Sequence, residues 1–340
     1  MKVLLLAGGD SGERDVSLDS GAAVFEALKK LGHDVVAMDP ATRHSLLDKK
    51  GVTYIADKSF KQEVLTLDKE TPKAVMTFDS PDLSDVEVVF IGLHGGGGEN
   101  GTIQNLLDLA GKKYTGSNMT ASAVAMNKEL VKRLMVSEGI KTPQWALYRL
   151  KDGPLDDKTA ADTTERFSFP VIVKPNDGGS TIGLTKVNRR EELPEAFARA
   201  AEQSKEVLVE EYIPGRELTV AVFDGRAFPV VEIKPKSGLY DYEAKYTKGK
   251  SEYIAPAPID DNLAERMRTT AEKVYDIVGA SGAARIDFLL DDTGEYYCLE
   301  LNTLPGMTSL SLVPMAAKCV GIDFTRLIEM ILESALKKQE

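Results

Sequence analysis

The sequence predicts a multidomain α/β protein whose chain begins with an open parallel sheet. An apolar run at Lys2–Ala7, an amphipathic stretch at Ser17–Leu31 and a second apolar run at His33–Met38 form the pattern of a βαβ unit. The length of 340 residues exceeds what one hydrophobic core usually organises, so two or three domains are expected. Near the C-terminus, alternating residues at 285–302 predict an antiparallel hairpin with one polar face.

The composition is that of an ordinary globular protein, with 43% hydrophobic and 28% charged residues. A net charge of −11 argues against nucleic acid as the main partner, because a phosphate backbone requires a basic surface. The two cysteines, Cys298 and Cys319, form no CxxC pair, which favours a reducing cytosol and argues against structural zinc. No apolar run approaches the ~20 residues of a membrane span, so we expect a cytoplasmic protein without membrane contact.

The first strand ends at Gly8-Gly9, and the loop after it carries Glu13. Ligands of open α/β sheets bind at the carboxyl ends of strands, which makes Glu13 a candidate ligand residue. The loop lacks the GxGxxG pattern, so a dinucleotide site is only weakly indicated. Taken alone, Glu13 is more simply explained as an acidic residue that complements the dipole of the following helix.

A second buried strand, Val86–Leu93, leads into His94 and four consecutive glycines. Consecutive glycines let the backbone approach a ligand closely. His94 is therefore a better ligand candidate than an average histidine, which usually has a structural role. Three elements are predicted to follow: helix Thr102–Leu109, strand Lys112–Ser117 and helix Ala121–Glu138.

A strand with a lysine near its end, Phe169–Pro175, precedes a Gly/Ser loop at residues 176–183. Lys174 and the loop N–H groups could together hold a polyphosphate, although a lysine that reaches solvent explains the pattern equally well. The loop lacks the GxxxxGK[ST] pattern, so a P-loop fold is not expected. The next strand ends in carboxylates around a turn, between Glu210 and Glu217, where an adenine, a ribose or only water could bind.

The remaining segments are a surface stretch, a hairpin, a long loop and two helices. The charged segment Lys151–Glu165 predicts a surface excursion without a functional role. Residues 218–233 predict a hairpin that turns at Asp224-Gly225. Residues 234–258 are too long for an ordinary connection, and their tyrosines favour an ordered lid. Helices are predicted at Asn262–Val278 and 323–337.

The polar face of the C-terminal hairpin is the strongest single signal in the chain. Strict alternation places four polar residues on this face: Arg285, Asp287, Glu300 and Asn302. It also places Cys298 there, and we expect this residue to have a packing role. Carboxylate and amide oxygens suit Mg²⁺, which proteins bind through one or two carboxylates and the phosphates of a substrate. An ordinary ion pair within a sheet explains the hairpin equally well.

Taken in order, these motifs resemble the ATP-grasp superfamily and, within it, the D-alanine–D-alanine ligase family, over nearly the whole chain. The most specific motifs are Arg285-Ile286-Asp287 and Glu300-Leu301-Asn302-Thr303, the latter with Pro305–Ser309 and Ser311-Leu312. The weaker ones are Gly8-Gly9 with Glu13–Ser17, His94–Thr102, Val173–Ser180 and Tyr240–Tyr246. The resemblance implies three domains, at 1–122, 123–214 and 215–340. ATP would lie between the second and third, beneath a lid at about 234–258.

The resemblance also implies the residues of each binding site. Eight would contact ATP: Lys128, Lys174, Ser180, Glu210, Glu211, Ile213, Glu217 and Lys245. Among them, Lys128 and Lys174 would hold phosphates, Glu210 and Glu217 would contact the adenine and the ribose, and Lys245 would reach the γ-phosphate when the lid closes. Two Mg²⁺ ions, which Mn²⁺ could replace, would bind Asp287, Glu300 and Asn302. Glu13 would bind the ammonium group of the first D-alanine with His94 nearby, and Ser311 and Leu312 would take the carboxylate of the second.

The implied reaction joins two D-alanines through an acylphosphate, with release of ADP and phosphate, for peptidoglycan precursor synthesis. Arg285 and the Gly306 N–H would stabilise the oxyanion that forms when the second amine attacks. Ser180 and Tyr246 would connect Glu13 to the lid. The family further implies a homodimer.

Three alternatives remain open from the sequence. The second substrate could be D-lactate or D-serine; Tyr246, however, is typical of dipeptide-forming members, whereas depsipeptide-forming members typically have a histidine there. Another ATP-grasp ligase, of the glutathione-synthetase or biotin-carboxylase kind, would not be expected to carry the Glu13 and Tyr240–Tyr246 motifs. A nucleotide-binding regulator that has lost catalysis would not be expected to keep Lys128, Lys174 and Arg285 together with all three candidate metal ligands.

Overall fold

The structure is a computed structural model that describes residues 1–41, 44–45, 84–150, 156–236, 245, 247, 249–308 and 311–337. Tyr246, most of the predicted lid and residues 151–155 lie outside the described residues. The described strands are β1 (Lys2–Leu6), β2 (Asp34–Asp39), β3 (His44–Ser45), β4 (Val88–Ile91), β5 (Trp145–Arg149), β6 (Val171–Pro175), β7 (Thr185–Val187), β8 (Glu206–Glu211), β9 (Arg216–Phe223), β10 (Arg226–Ala227), β11 (Val231–Pro235), β12 (Ser251–Ile254), β13 (Ala283–Leu290) and β14 (Tyr296–Asn302).

The described α-helices are α1 (Arg14–Lys30), α2 (Gly96–Glu99), α3 (Thr102–Leu109), α4 (Met119–Met126), α5 (Lys128–Ser137), α6 (Asp157–Arg166), α7 (Leu193–Ala201), α8 (Asp261–Val278), α9 (Leu312–Cys319) and α10 (Phe324–Lys337). Within the described ranges, none of these helices is long and apolar enough to cross a membrane.

The N-terminal sheet has the order β3-β2-β1-β4, and its strands β2, β1 and β4 are parallel. The apolar run of β1 is buried because both faces of the strand are covered, which confirms the predicted βαβ unit. The predicted strand at Lys112–Ser117 is reduced to a single parallel bridge between Tyr114 and Val89. The carboxyl ends of β1 and β4 lie side by side, and they deliver the Glu13 loop and His94 to the same edge of the sheet.

The predicted continuous helix from Ala121 to Glu138 is wrong, because the chain breaks at Asn127 into α4 and α5. Asn127 has an extended ψ of 96°, and its side chain accepts a hydrogen bond from the Leu130 N–H at 2.9 Å. It thereby caps α5. The N–H of Lys128, which a continuous helix would use internally, instead donates to the carbonyl of Asn176. Lys128 therefore begins a helix rather than lying inside one.

The central sheet is antiparallel, in the order β5-β8-β6-β7, with α7 packed on it. The segment Lys151–Glu165 was predicted to be a surface excursion. This prediction is wrong for the second half of the segment, which forms the helix α6. Asp156 caps this helix by accepting from the Thr159 N–H at 2.6 Å. The helix is held to the sheet by a hydrogen bond from Tyr148 to Asp162. An N-cap aspartate before a stretch of helix-forming residues was the signal for this element.

The C-terminal sheet is antiparallel, in the order β12-β11-β9-β13-β14. The predicted turn at Asp224-Gly225 is confirmed, and both residues have positive φ angles, of 44° and 78°. The predicted lid segment is partly a sheet, because β11 extends to Pro235 and Ser251–Ile254 pair with it as β12.

A β-bulge in the predicted hairpin changes which residues share a face. Asp287 pairs with Glu300, but Phe288 pairs with Cys298, so Leu299 is the extra residue. Strict alternation placed Cys298 on the polar face, and this is wrong: Cys298 is fully buried in the apolar core beneath the sheet. Leu299 instead joins the polar face. The packing role expected for Cys298 agrees with this position.

The two C-terminal helices return to the N-terminal sheet. Leu327 and Ile331 of α10 share a core with Leu5 and Leu28. The sequence predicted α10 but not α9, whose eight residues give too short a periodic pattern. This return places the segment after β14 against the carboxyl end of the N-terminal sheet.

Candidate active site

A cleft between the central and C-terminal sheets collects the residues expected to bind ATP. All eight of them line it, and so do the three candidate metal ligands. The cavity within the cleft has a volume of about 180 Å³. The separate sequence motifs therefore converge on one cavity.

One end of the cleft is cationic. Lys174 Nζ lies 2.8 Å from Glu210 Oε2, and Lys132 Nζ lies 2.9 Å from Glu210 Oε1. Burial opposes ionisation of Glu210, but the two lysines outweigh it and lower the pKa of this carboxyl group. The sequence reasoning missed Lys132, since a lysine on a predicted helix is usually exposed.

Lys128 and Glu300 face each other across the same end of the cleft. The capped start of α5 places Lys128 Nζ 3.5 Å from Glu300 Oε2, and the ammonium also donates to the Gly178 carbonyl. Burial alone would raise the pKa of Glu300, but Lys128, Lys174, Lys245 and Arg285 together lower it to about 2. Glu300 is therefore ionised at neutral pH, as an oxygen ligand for a metal ion must be.

The cleft wall is also partly apolar. Its lining includes Ile172, Ile213, Leu289 and Leu299. Leu299 reaches this wall only because the bulge in β14 turns it away from the core. Apolar side chains suit the faces of a heterocyclic base, so the cleft offers both apolar and cationic surface to a nucleotide.

The polar face of the β13–β14 hairpin is held together by hydrogen bonds. Arg285 binds both oxygens of Asp287, at 2.9 Å and 2.8 Å, and Asn302 Nδ2 donates to the same carboxylate at 3.2 Å. Thr219 on the neighbouring strand also donates to it, at 2.7 Å. The predicted ion pair and the predicted metal ligands are thus the same group of side chains.

The donor set fits a hard divalent cation. Within the described residues, no group of three or more His, Cys, Asp or Glu side chains is gathered as a metal site. Asp287, Glu300 and Asn302 instead offer two carboxylates and an amide on the wall of the cationic cleft. This is a suitable arrangement for Mg²⁺, which takes only a few protein oxygens and completes its shell with phosphate and water.

A second cavity adjoins the first and has a volume of about 770 Å³. Six residues line both cavities: Glu99, Gly179, Ser180, Lys245, Glu300 and Asn302. The second cavity is also lined by the six residues expected to bind the amino-acid substrates: Glu13, His94, Arg285, Gly306, Ser311 and Leu312. A group transferred from a nucleotide in the first cavity would emerge beside a substrate in the second.

Glu13 lies between two glycine loops from different parts of the chain. It is 8% exposed, and the Ser180 hydroxyl donates to its Oε1. A Cβ atom added to Gly95 or to Gly179 would lie 2.6 Å from Glu13 Oε2, so a side chain at either position would displace the carboxylate or the loop. Ser180 itself has a positive φ of 49°, which costs energy in a residue other than glycine. The two loops thus enclose one carboxylate.

His94 is fully engaged by the protein. Its Nδ1 lies 2.9 Å from the Leu304 carbonyl and its Nε2 lies 3.0 Å from the Ser20 hydroxyl. Burial lowers the pKa of the imidazole, which favours the neutral ring with Nδ1 as donor. His94 lines the second cavity and also tethers the loop that carries Gly306.

Glu99 was missed by the sequence reasoning, although it follows the glycine run. It lines both cavities, and its Oε2 accepts a hydrogen bond from the Gly95 N–H at 2.9 Å. Burial and the nearby Glu13 raise the pKa of Glu99 to about 8. At neutral pH Glu99 is therefore mostly protonated, and it lies near Glu13.

Ser311 and Leu312 lie where α9 begins, facing the second cavity. The Ser311 hydroxyl accepts from the Thr308 N–H at 3.0 Å. The start of a helix presents N–H groups and a positive dipole end, both of which favour a carboxylate.

Comparisons with known proteins agree with this geometry. The family models described as the N-terminus and the C-terminus of D-ala D-ala ligase match residues 2–117 and 134–333. A D-alanine--D-alanine ligase of Syntrophotalea carbinolica is 39% identical over 98% of this chain and 96% of its own length. One of Aquifex aeolicus is 41% identical over 98% of this chain and 100% of its own.

Solved structures give the same result. The crystal structure of D-alanine--D-alanine ligase from Bacillus anthracis complexed with ATP has a TM-score of 0.75 and 29% identity, and the match covers 99% of this chain and 98% of that one. The predicted mixed α/β fold with an ATP-grasp portion is confirmed by this likeness. On these grounds the chain belongs to the D-alanine–D-alanine ligase family.

Proposed function

We propose that this protein joins two D-alanine molecules to D-alanyl-D-alanine with ATP, through an acylphosphate, for peptidoglycan precursor synthesis. The observation that carries the proposal is the pair of adjoining cavities, one shaped and charged for a nucleotide and one containing Glu13 and Arg285. The curated relatives are named for this activity, and a solved neighbour is described with ATP.

Phosphorylation of the first D-alanine is the step that needs positive charge. A carboxylate is a poor electrophile until it becomes an acylphosphate. Lys128 and Lys174 would hold the phosphates, and Lys245 lies where the two cavities meet, beside the group to be transferred. When bound to Asp287, Glu300 and Asn302, Mg²⁺ supplies further positive charge that offsets the charge on the transferring phosphoryl group.

The second step joins the amine of the second D-alanine to the activated carbonyl. Arg285 is fixed by its two contacts with Asp287 and so presents a preorganised cation to the developing oxyanion, together with the Gly306 N–H. Glu13 would hold the ammonium group of the first substrate, and the start of α9 would hold the carboxylate of the second. Exclusion of water protects the acylphosphate.

Four further expectations belong to the same proposal. The domains extend over residues 1–122, 123–214 and 215–340. The lid consists of residues 234–258, and Ser180 and Tyr246 connect Glu13 to it. The protein is cytoplasmic. It acts as a homodimer. Mn²⁺ replaces Mg²⁺.

The test is ADP release by the unaltered protein with D-alanine alone and with D-alanine plus D-lactate, each with Mg²⁺, with Mn²⁺ and with neither. We expect turnover that requires D-alanine and a divalent ion. Release without either would contradict the proposal, and preference for D-lactate near neutral pH would make the protein a depsipeptide ligase. A Glu300→Ala variant should keep the fold but lose metal-dependent turnover.

A further inference from the structure

A lysine that no ligand can touch lies behind the wall of the nucleotide cleft. Lys132, on α5, is 0% exposed, and it is among the largest fully buried side chains that the structure describes. Burying an ammonium group is costly unless it is paired and hydrogen-bonded. A methionine would fill the same space without that cost, so the charge itself requires an explanation.

The ammonium group of Lys132 has three oxygen neighbours: it donates hydrogen bonds to two of them and forms an ion pair with the third. Its Nζ lies 2.9 Å from Glu210 Oε1, 2.6 Å from Thr142 Oγ1 and 3.2 Å from the Pro143 carbonyl. Glu210 and Pro143 both line the nucleotide cleft. Lys132 therefore supports two parts of the cleft wall from behind, the strand β8 and the loop before β5.

The cluster also has an unbalanced charge. Glu210 Oε2 lies 2.8 Å from Lys174 Nζ, so one carboxylate is shared between two lysines. Burial lowers the pKa of Lys132, and the Glu210 carboxylate opposes this effect. With both lysines protonated, the cluster carries a net +1 beside Lys174, which would hold phosphates. Without Lys132, Glu210 would neutralise Lys174 alone, and the cluster would lose its attraction for an anion.

We propose that Lys132 is a positioning residue for the nucleotide. By holding one oxygen of Glu210, it fixes the orientation of this carboxylate and leaves the charge of Lys174 directed at the phosphates. This inference deepens the proposed ligase function and rests on it only for the identity of the nucleotide.

The first test is Lys132→Met in the full chain. We expect binding of ADP with Mg²⁺, measured by calorimetry without D-alanine, to weaken about tenfold, because the cluster loses one positive charge. The KM for ATP should rise by a similar factor, while kcat and the KM for D-alanine change little. Val131→Ala, at the adjacent buried position of α5, is the matched control, which should lower thermal stability without altering nucleotide affinity. Unchanged nucleotide affinity in Lys132→Met would overturn the proposal.

The double variant Lys132→Met/Glu210→Gln removes both charges and so avoids leaving a buried carboxylate with only one partner. If Lys132 acts through Glu210, the double variant should bind ADP with the same affinity as the single variant Glu210→Gln. A further loss of about tenfold on top of Glu210→Gln would show another route and overturn the proposal. An unaltered chain that binds ADP but forms no dipeptide would refute the ligase function, while the Lys132 comparison would stand.

Discussion

The position of the Glu13 carboxylate depends on the close approach of two backbone loops as much as on its charge. Gly95 and Gly179 come from loops about eighty residues apart, yet both press on the same carboxylate oxygen. Each glycine motif was weak by itself in the sequence, because many loops contain glycine. Their meaning comes from the shared contact, which only the folded chain creates.

A methyl group at position 179 should therefore disturb the substrate site without disturbing the fold. In Gly179→Ala the new Cβ would lie 2.6 Å from Glu13 Oε2, so either the loop or the carboxylate must move. We expect kcat/KM for D-alanine to fall about 10²-fold, as displacement of a positioned group by an ångström can cost. Steady-state kinetics measures this. The control is Gly97→Ala in the other loop, where the nearest atom to an added Cβ is 4.0 Å away; an equal loss there would contradict the explanation.

The raised pKa of Glu99 predicts that the stability of the protein depends on pH. Its pKa is raised from 4.5 to about 8 by burial and by Glu13, so the folded state binds more protons than the unfolded state between these values. Its contribution is present below about pH 4.5 and is lost as the pH rises through about 8. Glu99→Gln should flatten the fall of Tm between pH 5 and 9, measured by calorimetry. Glu26→Gln, on the exposed face of α1, should leave the fall unchanged, and a parallel curve for Glu99→Gln would refute the prediction.

Among the secondary-structure elements, the break between α4 and α5 has the clearest functional consequence. Propensity favours one long helix here, but Asn127 caps α5 and also accepts a hydrogen bond from Asn176 Nδ2 at 3.1 Å. The segment after β6 is thereby tied to the start of α5. This tie places Lys128 over the Gly/Ser loop instead of on a solvent-exposed turn.

The variant Asn127→Ala should distinguish the role of Asn127 in placing Lys128 from its role as an ordinary helix cap. Loss of the cap should lower the free energy of unfolding by about 1 kcal/mol, and the misplaced Lys128 should raise the KM for ATP severalfold. Denaturant unfolding and kinetics measure the two effects. Asn118→Ala removes the cap of α4, where Asn118 accepts from the Ala121 N–H at 2.9 Å, and should cost similar stability with no change in KM. Equal effects on KM would show that the break has no special role.

For the molecule as a whole, the return of the C-terminal helices to the N-terminal sheet joins the two ends of the chain. Helix α10 packs against α1 and β4, and its apolar face completes the core that covers one side of the first sheet. The loop that carries Gly306 and the start of α9 are thereby held opposite Glu13. The substrate cavity is complete only when both ends of the chain are in place.

Ile331→Ala should consequently destabilise the N-terminal sheet. Ile331 is 4% exposed in the shared core, and truncation of a buried isoleucine typically costs about 2–5 kcal/mol. Denaturant unfolding should show this loss, and hydrogen exchange should rise in residues 2–30, far away in sequence. Val136→Ala, which is 54% exposed on α5, should cost little. Exchange that rises only within α10 would contradict the shared core.

The sequence by itself determined the fold class and most strands and helices, because periodicity is a local property of the chain. The order of the motifs further predicted which residues line the two cavities, through the family resemblance. Strict periodicity failed at Cys298 and Leu299, since a bulge inserts one residue and reverses the faces. It failed again at Asn127, where a cap outweighs helix propensity.

Only the tertiary structure decided which side chains meet. The buried Lys132, the shared carboxylate of Glu210 and the protonated Glu99 have no signature in the sequence, because burial and charge pairing depend on residues distant along the chain. Ionisable groups are ordinary at a solvated surface and become functional only where the fold removes water from them.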